Sequence, residues 1–399
     1  GIRDRDVTGF RRVLFRSRDA ARLETQQQQP DAAQQDYRLA MAASGISPDA
    51  PQDNDRYTQL TRNDASDDWL KRGIRSDAAD LYRQQDTTFT LEQDYSRDKG
   101  TGGISDFTAH TTMMQAETPL ADGSSFVRVD HVLVSAGTFA TSDGSHSERF
   151  GSCNDDNSGG CSRDFTQRDE GTAIGVGWHN DRWSGDIGTT PLGFEVTNWV
   201  GGLSWKTDVK DIGVTFTASR RPISSSLLAY AGARDPAANG GKTWGGVVAT
   251  GGSVGLSYDQ GGANGVWADI SAHQITGENV ADNSRERLMA GYYYKLINED
   301  NRRATVGLNS MLWHYQKDLS DYTFGQGGYY SPQQYFSLAV PLTYRQRTDN
   351  WSCDLGGSVS WSQSQTDGQK SYPVNPGFTL ASNPTSDSSS GNGFGYTLQ

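Results

Sequence analysis

Residues 285–313 read RERLMAGYYYKLINEDNRRATVGLNSMLW, and two strands joined by a tight turn account for the whole stretch. Leu288, Ala290, Tyr292 and Tyr294 alternate with Arg287, Gly291, Tyr293 and Lys295. Beyond the turn at 298–301, Ala304, Val306 and Leu308 alternate with Thr305, Gly307 and Asn309. Successive side chains of a strand point to opposite faces, so each segment has one apolar wall and one polar or small wall. The pattern continues outward. Val266, Ala268, Ile270 and Ala272 interleave with Trp267, Asp269, Ser271 and His273, and Phe336, Leu338, Val340 and Leu342 interleave with Ser337 and Thr343.

From about Thr87 onward this unit repeats, and its connections decide the topology. Long connections at 97–106, 137–170, 220–243, 317–333 and 364–392, with medium ones at 188–194 and 275–284, take turns with short ones. The short ones fall at 117–124, 180–182, 206–211, 260–263, 298–301 and 348–350. A soluble sandwich has no reason to keep that order. A membrane barrel has short turns on one side and long loops on the other. The expected fold is an all-β transmembrane antiparallel β-barrel, with about fourteen strands present. The last strand, at 393–399, breaks off after Phe394, Tyr396 and Leu398.

Mean hydropathy is −0.69 and hydrophobic residues make up 34%, and no stretch approaches the length of a transmembrane helix. A wet-cored barrel needs apolar residues only at alternate strand positions, so these values fit it. Trp178, Trp183, Trp199, Trp205, Trp313, Trp351 and Trp361 lie near expected strand ends, where interfacial girdles place aromatics. The net charge of −12 and the absence of a basic stripe argue against a nucleic-acid partner.

Cys153 and Cys161 sit in the loop SHSERFGSCNDDNSGGCSRDF. Their spacing, with Gly, Asn and Asp between, fits a small disulfide loop on an oxidising exterior. Two free thiols or half of a metal site are the alternatives, though a zinc site would want a closer cysteine pair or nearby His, and His146 alone is thin support. Cys353 shares the apolar parity of Trp351, Leu355 and Val359, as a small lipid-facing residue would. No metal, cofactor or catalytic group is assigned. Gly251–Gly255 match G-x-S-x-G, but a nucleophile elbow joins a strand to a helix, and this match lies in a glycine-rich strand. The six histidines show no i,i+4 pair. Ser271, His273 and Asp269 share a parity, and a polar lining explains them better than a hydrolase.

The first 86 residues are different material. Residues 1–17 are basic, resemble translated adapter sequence, and are expected to be non-native. Residues 18–86 are expected to form the end of a periplasmic helical repeat region and a linker. Ala33, Tyr37, Ala40 and Met41 recur at helical spacing before Gly45 and Pro48. That helix is similar to the second helix of a tetratricopeptide repeat; an amphipathic linker helix is the alternative. Leu70, Ile74 and Leu81 share one face of a second helix. A single repeat half cannot bury its own apolar side, so further repeats are expected upstream. Residues 87–399 are the barrel, expected to lack about one hairpin.

The stretches GDIGTTPLGF (185–194), RRPISSSLLAYAG (220–232), GYYYKLIN (291–298), NRRATVGLNSMLWHYQKDLS (301–320) and GQGGYYSPQQYFSLAVP (325–341) carry a family resemblance. With KTWGGV (242–247), GANGVWA (262–268) and TGENVADN (276–283), they resemble the C-terminal barrel of the cellulose synthase operon protein C family. The resemblance implies a sixteen-stranded outer-membrane barrel that exports cellulose, behind periplasmic tetratricopeptide repeats that dock other secretion components. The implied partners are the cellulose chain, outer-membrane lipids, and periplasmic and inner-membrane cellulose synthase subunits. On the polar parity, Trp267, Asp269, His273, Tyr293, Lys295, Asn309, Trp313, Tyr335, Arg345 and Asp354 are the candidate lumen-lining, glucan-contacting residues. Polar side chains exchange hydrogen bonds with sugar hydroxyls, and aromatic faces stack on sugar rings. A general diffusion porin or an outer-membrane barrel hydrolase is the alternative. The long loops are expected to be mobile and exterior, open to protease within 141–170 or 317–333.

Overall fold

A computed structural model of the chain describes residues 17–25, 29–139, 149–161, 165–299, 301–348 and 351–398. Two units are distinguished: one holds the residues up to Phe89 with 116–126 and 347–352, and the other holds the rest of the chain.

In the first unit, helix α1 (residues 17–25) precedes α2 (Pro30–Ala43), α3 (Asn54–Leu60) and α4 (Trp69–Gln85). Pro30 opens α2, where its missing N–H costs nothing. Asp53 caps α3 by accepting from Arg56 N–H, and Asp68 caps α4 by accepting from Leu70 and Lys71 N–H. Ala33, Tyr37, Ala40 and Met41 are buried as their spacing predicts, against Tyr57, Ile74, Ala78 and Leu81. Two elements were not legible. The short polar helix α3 supplies Tyr57 and Leu60 to this core, and α1 supplies Ala21 while Arg18 and Arg22 reach Asp77. Leu23, Leu39 and Trp69 of the same helices stay exposed. The adapter-like residues 1–16 lie outside the described residues.

The sheet runs through fourteen strands in chain order. They are β1 (Thr88–Asp98), β2 (Phe107–Leu120), β3 (Gly123–Thr138), β4 (Thr166–His179), β5 (Trp183–Thr189), β6 (Trp199–Val209) and β7 (Ile212–Pro222). Then come β8 (Thr243–Tyr258), β9 (Asn264–Glu278), β10 (Asn283–Asn298), β11 (Arg302–Tyr315), β12 (Gln334–Arg347), β13 (Ser352–Thr366) and β14 (Ser389–Leu398). Each pairs with the next in sequence, β1 and β14 are the ends of the order, and the described ladders are antiparallel. In the two-residue turns after β2 and β6, Ala121 (φ 56°) and Lys210 (φ 57°) take the left-handed backbone that tight hairpins require.

The alternation fixes the faces. Ile187 (60% exposed), Ile270 (57%), Leu308 (50%) and Leu312 (47%) project from one face, while Asp186, Asp269, Asn309 and Trp313 share the other. Val254, Ile270, Leu288, Leu312 and Phe336 are register partners on adjacent strands, so the apolar face is continuous. An exposed apolar surface of that extent is what a lipid-facing wall shows and a water-facing one does not.

Two expectations about the connections fail. The medium loop expected at 275–284 shrinks to 279–282, because β9 and β10 stay paired up to Ile275 and Asn283, and Glu278 pairs back to Gly245. The long loops are also not open segments. They carry a buried cluster of Phe139, Phe150, Leu228, Leu319, Phe324, Tyr329 and Tyr372, packed with Trp244 at the start of β8. A short helix, α5 (Leu227–Ala231), lies within it. The strand pieces Phe150–Gly151 and Tyr322–Thr323 pair in parallel inside this cap. Asp235 accepts from Ser152 N–H (3.0 Å) and Ser152 Oγ–H (2.6 Å), and Asp155 accepts from Ala381 N–H at 2.8 Å. Residues 319–331 include Leu319, Phe324, Gln326, Tyr329 and Ser331, all buried, while Asp321 and Tyr330 are exposed. The remainder of the expected 141–170 cleavage region is partly outside the described residues.

Candidate functional site

The polar face of β9–β12 is a stack of cross-strand tiers. Next to the cap, His273, Arg285 and Tyr315 are register partners; below them come Ser271, Arg287, Trp313 and Tyr335. Asp269, Met289 and Met311 follow, then Trp267, Gly291 and Asn309, and at the turn end Tyr293 and Lys295. The sequence builds this surface by putting polar and aromatic residues on one parity and glycine where a neighbour's ring needs room. A Cβ on Gly291 would stand 2.3 Å from Trp267 Nε1, and one on Gly265 would stand 2.3 Å from Tyr293 Oη. Both rings therefore lie along the wall of the adjacent strand instead of projecting straight out.

The candidate residues have partners of several kinds. Asp269 accepts from Arg287 Nη2 at 3.2 Å, and Arg285 Nη2 stands 3.4 Å from His273 Nδ1. Guanidinium only donates, so Nδ1 of His273 is the acceptor there. Tyr293 donates its hydroxyl hydrogen bond to Asp259, and Lys295 reaches the same carboxylate at 3.3 Å and Gly262 O at 3.1 Å. The Tyr293 hydroxyl, the Gly261 N–H and Lys295 together hold the Asp259 carboxyl below its ordinary range. Trp313 packs 5.3 Å from Tyr335 and 6.3 Å from Tyr315, ring centre to ring centre. Arg345 and Asp354 form an exposed pair at 2.5 Å between β12 and β13. Asn309 stands on the tier of Trp267, across Gly291.

The ten candidates thus share one face, but they line its height and do not converge on a point. Trp313 lies on the polar face with them and not on the apolar face where a girdle would be. Trp183, Trp199 and Trp205 do project from the apolar side; Trp205 stacks on Trp183 at 5.8 Å and on Phe216 at 5.7 Å. Sequence reading passed over Arg285, Arg287 and the Arg221–Asp186 pair, whose two hydrogen bonds span 2.5 and 2.6 Å. The signal was present, because Arg285 and Arg287 share the parity of Tyr293.

No hydrolytic relay forms from Ser271, His273 and Asp269. The imidazole faces Arg285, the carboxylate faces Arg287, and the Ser271 hydroxyl bonds to neither. Gly251–Gly255 lie inside β8, with Ser253 opposite Ser271, so there is no strand-to-helix elbow. Among the described residues no cluster of His, Cys, Asp and Glu could hold a metal ion. Cys153 and Cys161 are joined by a disulfide, with Cα atoms 5.4 Å apart, and Cys353 is a free thiol.

Residues 105–399 match the family model described as Cellulose synthase operon protein C C-terminus. The chain is 53% identical over 388 residues to Cellulose synthase operon protein C of Escherichia coli (strain K12), covering 96% of this chain and 33% of that protein. It is 54% identical to the Salmonella typhimurium (strain LT2) protein of the same name, with the same coverage. The Pseudomonas fluorescens (strain SBW25) protein is 33% identical over 305 residues, covering 75% of this chain and 23% of that protein. The chain spans about a third of the length of the first two of these relatives. Among solved structures it is similar to one titled Bacterial polysaccharide outer membrane secretin, with a TM-score of 0.43, 10% identity, and coverage of 71% of this chain and 85% of that one. The match of the family model to residues 105–399, the strand region of the chain, makes this protein a member of the cellulose synthase operon protein C family.

Proposed function

We propose that the strands form the wall of an outer-membrane channel through which a β-glucan chain leaves the cell, without performing chemistry on it. The supporting observation is the two-faced sheet. Its continuous exposed apolar face suits lipid, and its tiered polar and aromatic face suits a hydroxyl-rich polymer. On this reading Trp267, Asp269, His273, Asn309, Trp313 and Tyr335 line the path. Tyr293, Lys295, Arg345 and Asp354 lie near its turn-side rim. Many weak contacts spread along a wall fit conduction better than one deep well does. The helical segment then lies in the periplasm and docks other subunits of the cellulose synthase, and the barrel contacts outer-membrane lipids.

The test is deletion of the codons for 105–399 in the full-length gene. Cellulase-released glucose should vanish from the cell exterior while polymer synthesis continues. Undiminished export would reject the channel.

A further inference from the structure

We propose that Arg285 and Arg287 form a binding site for an oxyanion, of carboxylate or phosphate type, on the polar face just below the cap. Two guanidinium groups two residues apart on one strand point to the same face. Each offers five N–H donors. The described contacts leave several of them open: Nη2 of Arg287 donates to Asp269 at 3.2 Å, Nη2 of Arg285 stands beside His273 Nδ1 at 3.4 Å, and Arg285 also donates to the Tyr315 hydroxyl. Arg221 differs, since it makes a two-bond fork with Asp186 at 2.5 and 2.6 Å. Among the described residues Arg285 meets no carboxylate.

The surroundings add further unpaired donors. Nε of Arg285, Nε of Arg287, Nε1 of Trp313 and Oγ of Ser271 are all shielded and without a hydrogen-bond partner. Ser271 is 3% exposed, stands opposite Arg287, and shares its face. The other nearby carboxylate, Asp318, which flanks Tyr329 together with Arg285, accepts from Ser320 N–H at 3.1 Å and from Ser331 Oγ at 3.4 Å. Asp269 is the one carboxylate in contact with these two guanidiniums among the described residues, so with the indole N–H and the hydroxyl the site is rich in donors. An unpaired shielded donor is costly, and an arginine fork is shaped for a two-oxygen acceptor. A neutral sugar hydroxyl brings a donor with each acceptor; an oxyanion brings an excess of charged acceptors. Because the Nε atoms are shielded, binding requires the guanidinium groups to turn toward the open side.

Calorimetry on the detergent-folded chain, with inorganic phosphate, cellobionate and cellobiose as probes, tests this. Arg285→Gln/Arg287→Gln should weaken phosphate binding about tenfold or more, the loss of one charge-assisted fork. Arg285→Lys/Arg287→Lys, which keeps charge and loses the fork, should fall between. Heat-modifiable gel mobility checks that each variant is folded. If the bound group is carried on a glucan, cellobionate binds about tenfold more tightly than cellobiose in the parent, and the glutamine pair erases only that difference. If phosphate binds through the arginines and neither sugar binds, the site takes a free ion and the channel reading loses support. Phosphate binding that is absent from the parent, or unchanged in the folded glutamine pair, overturns the site.

Discussion

Trp267 lies against Gly291 of the neighbouring strand, where a Cβ would come within 2.3 Å of the indole Nε1 and 2.5 Å of Asn309 Oδ1. The glycine is there because the ring is. Gly291→Ala should therefore cost about 1–3 kcal/mol through forced displacement of the indole. Trp267→Ala should largely remove that penalty, so the pair will be strongly non-additive. Urea unfolding of the four proteins from lipid vesicles measures the cycle. Additive costs would mean that the close approach is not what excludes a side chain at Gly291.

Leu288 and Leu308 separate the edge of the apolar face from its middle. On β10 the outward series runs Glu286, Leu288, Ala290, Tyr292, Tyr294, Leu296. Eight residue steps from Leu288 to Leu296, at about 3.3 Å each and tilted about 40°, rise roughly 20 Å, close to the height of a lipid-facing band. Leu288 adjoins Glu286, whereas Leu308 is the register partner of Tyr292, in the middle. Leu308→Arg should cost about 2–4 kcal/mol of folding in vesicles and Leu288→Arg about 0–1 kcal/mol. Equal costs would show that the band extends past Glu286.

Tyr293 and Lys295 hold the turn between β8 and β9 through Asp259. Asp259→Asn should leave folding intact and detach Lys295, making the turn at 259–263 more open to protease at neutral pH. Limited proteolysis followed by mass mapping reads this out. Unchanged cleavage would mean that the turn backbone alone sets its conformation.

The strands and the faces were legible because period-two alternation is a local signal. Leu288, Tyr292 and Arg287 declare their sides within six residues. The cap was not legible, because its core is assembled from residues scattered over several connections and the start of β8: Phe150, Leu228, Trp244, Leu319, Phe324 and Tyr372. No two lie at a spacing that repeats, so nothing in one loop announces the others. Helix α3 was missed for a related reason. NDRYTQL is short and polar, and only Tyr57 and Leu60 mark its inner face. The candidate lining followed from parity, whereas its partners did not; that Asp259 binds Tyr293 and Lys295 depends on how the turn folds back.

The disulfide belongs to the cap and not to a mobile loop. Ser152 and Ser158, beside and within the ring closed by Cys153 and Cys161, are buried, and Asp155 inside it holds Ala381 and Ser382. Cys153→Ser should destabilise the cap by about 2–4 kcal/mol, the usual entropic and packing cost of a small ring. The parent in vesicles should be cut first within 381–390, which is exposed throughout, while 319–331 resists. The variant should become sensitive at 149–161 and 319–331 together. Sensitivity at 149–161 alone would show that the ring is not coupled to the rest of the cap.

Buried tyrosines set the alkaline limit of both units. Burial pushes the phenols of Tyr37, Tyr230 and Tyr372 up to about 12, and those of Tyr57 and Tyr329 higher still. A raised folded pKa means the neutral form is favoured by folding. The stabilising contribution is therefore complete below the ordinary tyrosine value near 10 and is lost as pH climbs through the folded values. Absorbance near 295 nm should show exposed tyrosines ionising around pH 10 and a second, cooperative step near or above pH 12, coincident with loss of near-ultraviolet circular dichroism. Tyr372→Phe should remove one phenol from that step and shift cap unfolding to higher pH, leaving the helical unit unchanged. A single non-cooperative titration centred near 10 would mean that these hydroxyls already reach water in the folded protein.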